Sequence, residues 1–123
     1  MQTLAQVALG GAIGAVARFL VVSGATRFLG AHFPIGTLLV NVIGSLAMGV
    51  LAAFLLGPKG TAPIAPFLLT GLLGGFTTFS AFAYENQVFF KEGDFTNFLI
   101  YTLGSISLGL VAVFLGLFIS KNF

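Results

Sequence analysis

Gly71-Leu72-Leu73-Gly74-Gly75-Phe76-Thr77-Thr78-Phe79-Ser80-Ala81-Phe82 lies inside an apolar stretch long enough to cross a bilayer, yet it makes a poor continuous helix. Two adjacent glycines followed by hydroxyl and phenyl residues favour a break over residues 74–78. Such a break frees backbone carbonyls that lipid cannot satisfy, and irregular backbone survives at membrane depth only where it is buried in protein or coordinates something. Unwound carbonyls suit a dehydrated cation, as in transporters with interrupted helices. The alternative is a plain glycine-rich kink in which Ser and Thr hydroxyls bond back to the backbone.

Working outward, this stretch belongs to an apolar segment at residues 63–90 that holds one charge, Glu85. A membrane-crossing helix needs about 20 mostly apolar residues. Three further segments meet that length: residues 4–29, with Arg18 inside the first 19 apolar positions, residues 35–56 and residues 95–120. The connections Gly30-Ala31-His32-Phe33-Pro34, Gly57-Pro58-Lys59-Gly60 and Lys91-Glu92-Gly93-Asp94 carry the turn and polar residues expected at the water interface. Their shortness predicts that consecutive helices are antiparallel neighbours in space. The expected fold is an all-α membrane protein: one transmembrane domain, residues 1–123, of four helices with a break in the third.

Composition supports this and excludes much else. Hydrophobic residues make up 58% of the chain and charged residues 7%, where soluble domains carry about 25% charged. Mean hydropathy is +1.11. There is no cysteine, so no disulfide or thiolate metal site. One histidine, His32, and three acidic residues offer no nucleophile–base pair or metal cluster, so an enzyme is not expected. The net charge of +2 is scattered, so nucleic acid is not an expected partner; the lipid bilayer is. Residues 1–6 hold no Lys or Arg, so the first helix is expected to be retained rather than cleaved as a signal peptide.

Orientation follows the Lys and Arg bias between loops. Lys59 and Lys121 fall on one side of four spans and Arg27 and Lys91 on the other, two against two. A small chain simply has few charges to count, or the protein inserts both ways and forms antiparallel dimers. Gly10 with Gly14 and Gly71 with Gly75 form GxxxG pairs, and Ser45 with Gly49 and Ser105 with Gly109 are looser versions, all signals of close helix packing.

Polar residues at bilayer depth are the first candidates for function. Thr37, Asn41 and Ser45 recur at a spacing of four and share one helical face. Asn41, with two N–H donors and one carbonyl acceptor, makes either an interhelical hydrogen bond or part of a polar pathway. Phe79 and Phe82, three apart, share a face; they pack, or they turn positive ring edges toward an anion. Tyr101 and Ser105 extend a hydroxyl track on the fourth span, with Thr102 alongside. Arg18 either snorkels to the interface or draws anions into a vestibule. Glu85 is an interfacial anchor, a packing hydrogen bond or a gate.

Taken together, Gly10-xxx-Gly14 followed by Arg18, Gly36-Thr37-Leu38 with Asn41 and Gly44, the third-span run Gly71-xx-Gly74-Gly75-Phe76-Thr77-Thr78-Phe79-Ser80-Ala81-Phe82, and Tyr101 with Ser105 resemble the Fluc, or CrcB, family of fluoride channels. The resemblance covers nearly the whole chain. It implies an antiparallel dual-topology homodimer in the bacterial inner membrane, with two pores that let fluoride out passively. It also implies a central sodium ion held by backbone carbonyls of Gly74 and Thr77 at the third-helix breaks of both subunits. By the same resemblance Phe79 and Phe82 are ring-edge fluoride ligands and Asn41 the pore amide donor. Tyr101, Ser80, Ser105 and Thr37 line the polar route, and Arg18 sits near the vestibule. Two positions depart from the family pattern: Ser80-Ala81-Phe82 replaces the commoner Ser-Thr-Phe, and Gly109 stands where some relatives have a serine. Fluoride chemistry agrees, since a small, strongly hydrated anion needs close donors, while a fixed cation in the pore would bind it too tightly to conduct.

Two other functions fit a small four-helix chain less well. A proton-coupled multidrug exporter needs a carboxylate in the first helix, where this chain has Arg18. A non-conducting structural subunit needs a recognition surface that these short loops hardly provide.

Overall fold

The computed structural model describes residues 1–123. Helix α1 spans Gln2–Leu29 and stops at Gly30, whose φ of 86° is a left-handed conformation that glycine adopts without strain. Helix α2 spans Ile35–Leu55. Strands β1 (Leu56–Gly57) and β2 (Gly60–Thr61) pair antiparallel around Pro58-Lys59, so the second connection is a small hairpin rather than an irregular loop.

The third span begins as a π-helical segment, Pro66–Leu73, and tightens into a single α turn, α3 (Gly74–Phe76). It breaks and then resumes as α4 (Phe79–Lys91). Helix α5 (Phe95–Lys121) starts under an Asp94 cap, whose carboxylate accepts the Asn97 backbone N–H at 3.2 Å and the Asn97 side-chain amide at 2.8 Å. Four helical stretches, Gln2–Leu29, Ile35–Leu55, Pro66–Lys91 and Phe95–Lys121, are long and apolar enough to cross a membrane. The chain is a multi-pass membrane protein.

The packing order departs from sequence order, pairing the first span with the third and the second with the fourth. Helix α1 lies chiefly against the π-helical segment and α3, α2 chiefly against α5, and α4 leans mainly on α5. The first half of the third span therefore has the first helix, not the second, as its main neighbour. Glycines explain why. A Cβ added at Gly10 would run into the Phe67 carbonyl, one at Gly71 would sit 3.0 Å from the Gly10 Cα, and one at Gly75 would sit 2.6 Å from the Gly11 carbonyl oxygen. The two GxxxG pairs thus face each other and let the backbones touch. Between α2 and α5 the close approach is made by Gly49 and Gly116, not by Ser105 and Gly109.

Two apolar clusters hold the rest: Ala65, Leu69 and Leu73 against α2, and Phe82, Phe89 and Tyr101 against Phe33, Leu38 and Phe98. The large apolar side chains left outside, among them Phe19, Phe54, Phe114 and Phe118, suit contact with lipid.

Candidate functional site

The break is narrower than the sequence suggests. Gly74 and Gly75 stay helical; only Thr77 (φ −85°, ψ 162°) and Thr78 (φ −153°, ψ 124°) are extended. Two β-branched residues adopt this backbone readily. The cost lies in helical hydrogen bonds lost on either side, and the surrounding side chains replace several of them.

Asn41 replaces two. Its Nδ2 donates to the Thr78 carbonyl at 2.9 Å, and its Oδ1 accepts the Thr78 backbone N–H at 2.7 Å. The interhelical bond foreseen for Asn41 is real and doubled, and one Nδ2 hydrogen is left over. The Thr78 hydroxyl caps α4 by accepting the Ala81 N–H at 3.3 Å, with the Ser80 hydroxyl 3.3 Å away. Thr77 donates its hydroxyl back to the Leu73 carbonyl at 2.9 Å, and its methyl fills the space above Gly44. Arg18 donates from Nε to the Gly75 carbonyl at 3.0 Å. Arg18 therefore turns inward onto the break rather than snorkelling away. It takes the place of the N–H that the helix would have supplied to Gly75. The carbonyls of Gly74 and Thr77 gain no such donor within the chain, because the Thr78 N–H goes to Asn41 and the Ala81 N–H to the Thr78 hydroxyl.

Toward the far end of α4, Glu85 ties three helices together. The Thr37 hydroxyl donates to Oε1 at 2.6 Å and the Tyr101 hydroxyl to Oε2 at 3.0 Å. Thr37 and Tyr101 are almost fully buried, at 2% and 1% exposure. The Tyr101 ring packs near the edges of Phe33 (5.3 Å), Phe82 (5.2 Å) and Phe89 (6.1 Å). Of the three roles open for Glu85, the packing hydrogen bond is the one observed. Asn86 escaped the sequence reading altogether. It is buried, donates to the Phe82 carbonyl at 3.1 Å and accepts the Thr102 hydroxyl at 2.9 Å, clamping α4 to α5. Its place next to the one acid of the span was the available signal.

Three cavities surround these groups. One of about 260 Å³ lies at the break, lined by Asn41, Gly44, Ser45, Thr77, Thr78 and Phe79. A second of about 310 Å³ is lined by Asn41, Ser45, Phe79, Phe82, Ser105 and Gly109. A third of about 400 Å³ holds Arg18, Thr37, Thr78, Ala81 and Glu85. The candidate residues thus fall into two groups. Asn41, Phe79, Phe82 and Ser105 meet at one cavity, while Thr37 and Tyr101 meet on Glu85. Ser80 is exposed beside Thr78, and Gly74 is exposed on the same broken span. Phe79 and Phe82 lie 5.6 Å apart with planes tilted by 51°, and Phe79 is 78% exposed in the single chain.

In the second cavity the Ser105 hydroxyl oxygen is buried with no hydrogen-bond partner. A buried polar atom left unpaired is rare and costs roughly 1–3 kcal/mol. Ser105 lines a space that Asn41 and two phenyl rings, Phe79 and Phe82, also line. That donor set can strip and hold a small anion without any full positive charge.

Comparison with known proteins identifies the family of the whole chain. The sequence model of a family described as "CrcB-like protein, Camphor Resistance (CrcB)" matches residues 5–117. A protein of Paracoccus denitrificans named "Fluoride-specific ion channel FluC" is 53% identical over 120 residues, covering 98% of this chain and 95% of its own. Relatives of the same name from Cereibacter sphaeroides and Aquifex aeolicus are 46% and 44% identical, each over 117 residues. The match spans all four helices and the broken third, and the chain belongs to the CrcB-like family.

Proposed function

We propose that this chain is the subunit of a fluoride-selective channel that lets fluoride leave the cell passively. The observation that carries the reading is Ser105, whose hydroxyl is buried without a partner, at the wall of a cavity it shares with Asn41, Phe79 and Phe82. An anion in that cavity would accept the Ser105 O–H and the spare Asn41 N–H, with the positive edges of the phenyl rings beside it. No fixed cation lines this cavity, so binding stays weak enough for release. The relatives' names supply the identity of the anion.

In this reading two copies assemble antiparallel, with two pores, as the balanced Lys and Arg count favours. The open flank of Phe79 and the exposed Gly74 support a partner on this face. The unbonded carbonyls of Gly74 and Thr77 fit a sodium ion between the copies, because a hard cation takes neutral oxygen ligands and these two have no other donor in the chain. Thr37, Tyr101 and Ser80 continue the polar route beyond the cavity, and Arg18 borders its approach while bracing the break.

The test is fluoride efflux from liposomes containing only this protein. Replacing Ser105 by Ala removes one hydroxyl and is expected to slow efflux about tenfold, the equivalent of one hydrogen bond to a charged ion. Efflux equal to that of the unmodified protein would remove this cavity from the pathway.

A further inference from the structure

The fourth-span hydroxyl ladder, Tyr101 then Ser105, stops at Gly109, which leaves a gap along α5 at the end of the 310 Å³ cavity. The gap is filled from the opposite helix. A Cβ built on Gly109 would meet the hydroxyl oxygen of Ser45 at 3.7 Å. Ser45 stands one turn beyond Asn41 on α2, so its side chain faces the same way.

Ser45 also occupies a position that few residues share. The cavity at the break and the cavity around Ser105 have only Asn41, Ser45, Phe79 and Val113 in common. Two of these four are polar, and Asn41 already gives its carbonyl and one N–H to the Thr78 peptide. Hydroxyls elsewhere in these helices are engaged, either with their own backbone, as Thr77 is with Leu73 and Ser120 with Gly116, or with a side chain on another helix, as Thr37 is with Glu85 and Thr102 with Asn86. Ser45 makes no such bond. Its O–H is available at the junction of the two spaces.

We infer that Ser45 is an anion ligand of the pathway, passing fluoride between the break and the Ser105 site, and that it stands in for the hydroxyl missing at Gly109. This rests on the fluoride-channel reading above. It assigns Ser45 a transport role that packing alone would not require, since neighbouring Gly44 and Gly49 already provide the close contacts of α2.

The experiment compares initial fluoride efflux rates from liposomes for the unmodified protein, Ser45→Ala, Ser45→Ala with Gly109→Ser, and Ser105→Ala. Ser45→Ala keeps the Cβ and is expected to slow efflux about tenfold. Adding Gly109→Ser, for which the 3.7 Å contact leaves room, should restore most of the rate. Rescue from the facing helix is the readout that a purely structural serine would not give. If Ser45→Ala assembles poorly, Ser45→Gly removes the same hydroxyl and must show the same loss and rescue. Undiminished efflux in Ser45→Ala, with Ser105→Ala slow, overturns the role of Ser45 and leaves the channel reading intact. Loss of rate that Gly109→Ser does not restore also overturns it. Absence of fluoride efflux from the unmodified protein overturns the reading on which it rests.

Discussion

Asn41 braces the break directly, because one carboxamide satisfies both the N–H and the C=O of Thr78. Replacing it by Ala would leave that N–H and C=O unpaired beside the cavity, a loss of roughly 1–3 kcal/mol for each group that water cannot reach. Asn41→Ala is therefore expected to lower the thermal unfolding midpoint in detergent and to abolish fluoride efflux. An unchanged midpoint would contradict the pairing. The sequence made Asn41 legible as a polar residue on a polar face, through its spacing with Thr37 and Ser45. Its partner was not legible, since Thr78 lies 37 residues away and periodicity reports only which residues share a helix face. Thr37 shows the same limit. It shares the face of Asn41 but reaches Glu85, a pairing set by where α4 leans.

At the scale of elements, the glycines and hydroxyl residues located the irregular span and bracketed its break within residues 74–78, which the structure narrows to two residues. Weak helix propensity extended the expected break back to Gly74-Gly75, yet both remain helical. Gly75 is held there by contact with Gly11 and by Arg18 on its carbonyl, so tertiary packing overrides propensity. The break is confined to Thr77 and Thr78, where Asn41 and the Thr78 hydroxyl supply the replacement bonds. The GxxxG pairs were legible as packing signals, and their mutual facing followed only from the fold. The prediction at this scale contrasts two glycines of α1. A methyl at Gly10 would collide with the Phe67 carbonyl, whereas nothing lies within 4 Å of a methyl at Gly24. Gly10→Ala is expected to destabilise the protein by about 1–3 kcal/mol, on the order of an overpacked core. Gly24→Ala should be near neutral as judged by unfolding midpoint and monodispersity in detergent. Equal behaviour of the two variants would contradict the crossing of α1 with the third span.

At the scale of the whole molecule, four spans with little charge were legible from composition alone, because lipid solvation leaves so few ways to satisfy a backbone. The assembly is the part a single chain describes least, and its proposed sodium ion has a direct test. Within one chain a Cβ at position 74 meets only the Leu69 carbonyl, at 3.8 Å. Gly74→Val should therefore leave the fold of the subunit in place while weakening a sodium-dependent dimer, read as a shift toward monomer when sodium is replaced by a larger cation. A dimer equally stable in both salts, with and without the substitution, would count against the ion. Selection of fluoride by a neutral seam of amide, hydroxyl and phenyl groups is checked by measuring efflux of fluoride and of chloride from liposomes bearing the unmodified protein alone. Rapid fluoride efflux with chloride retained is the expected result. Equal release of the two ions, or release of neither, would contradict it.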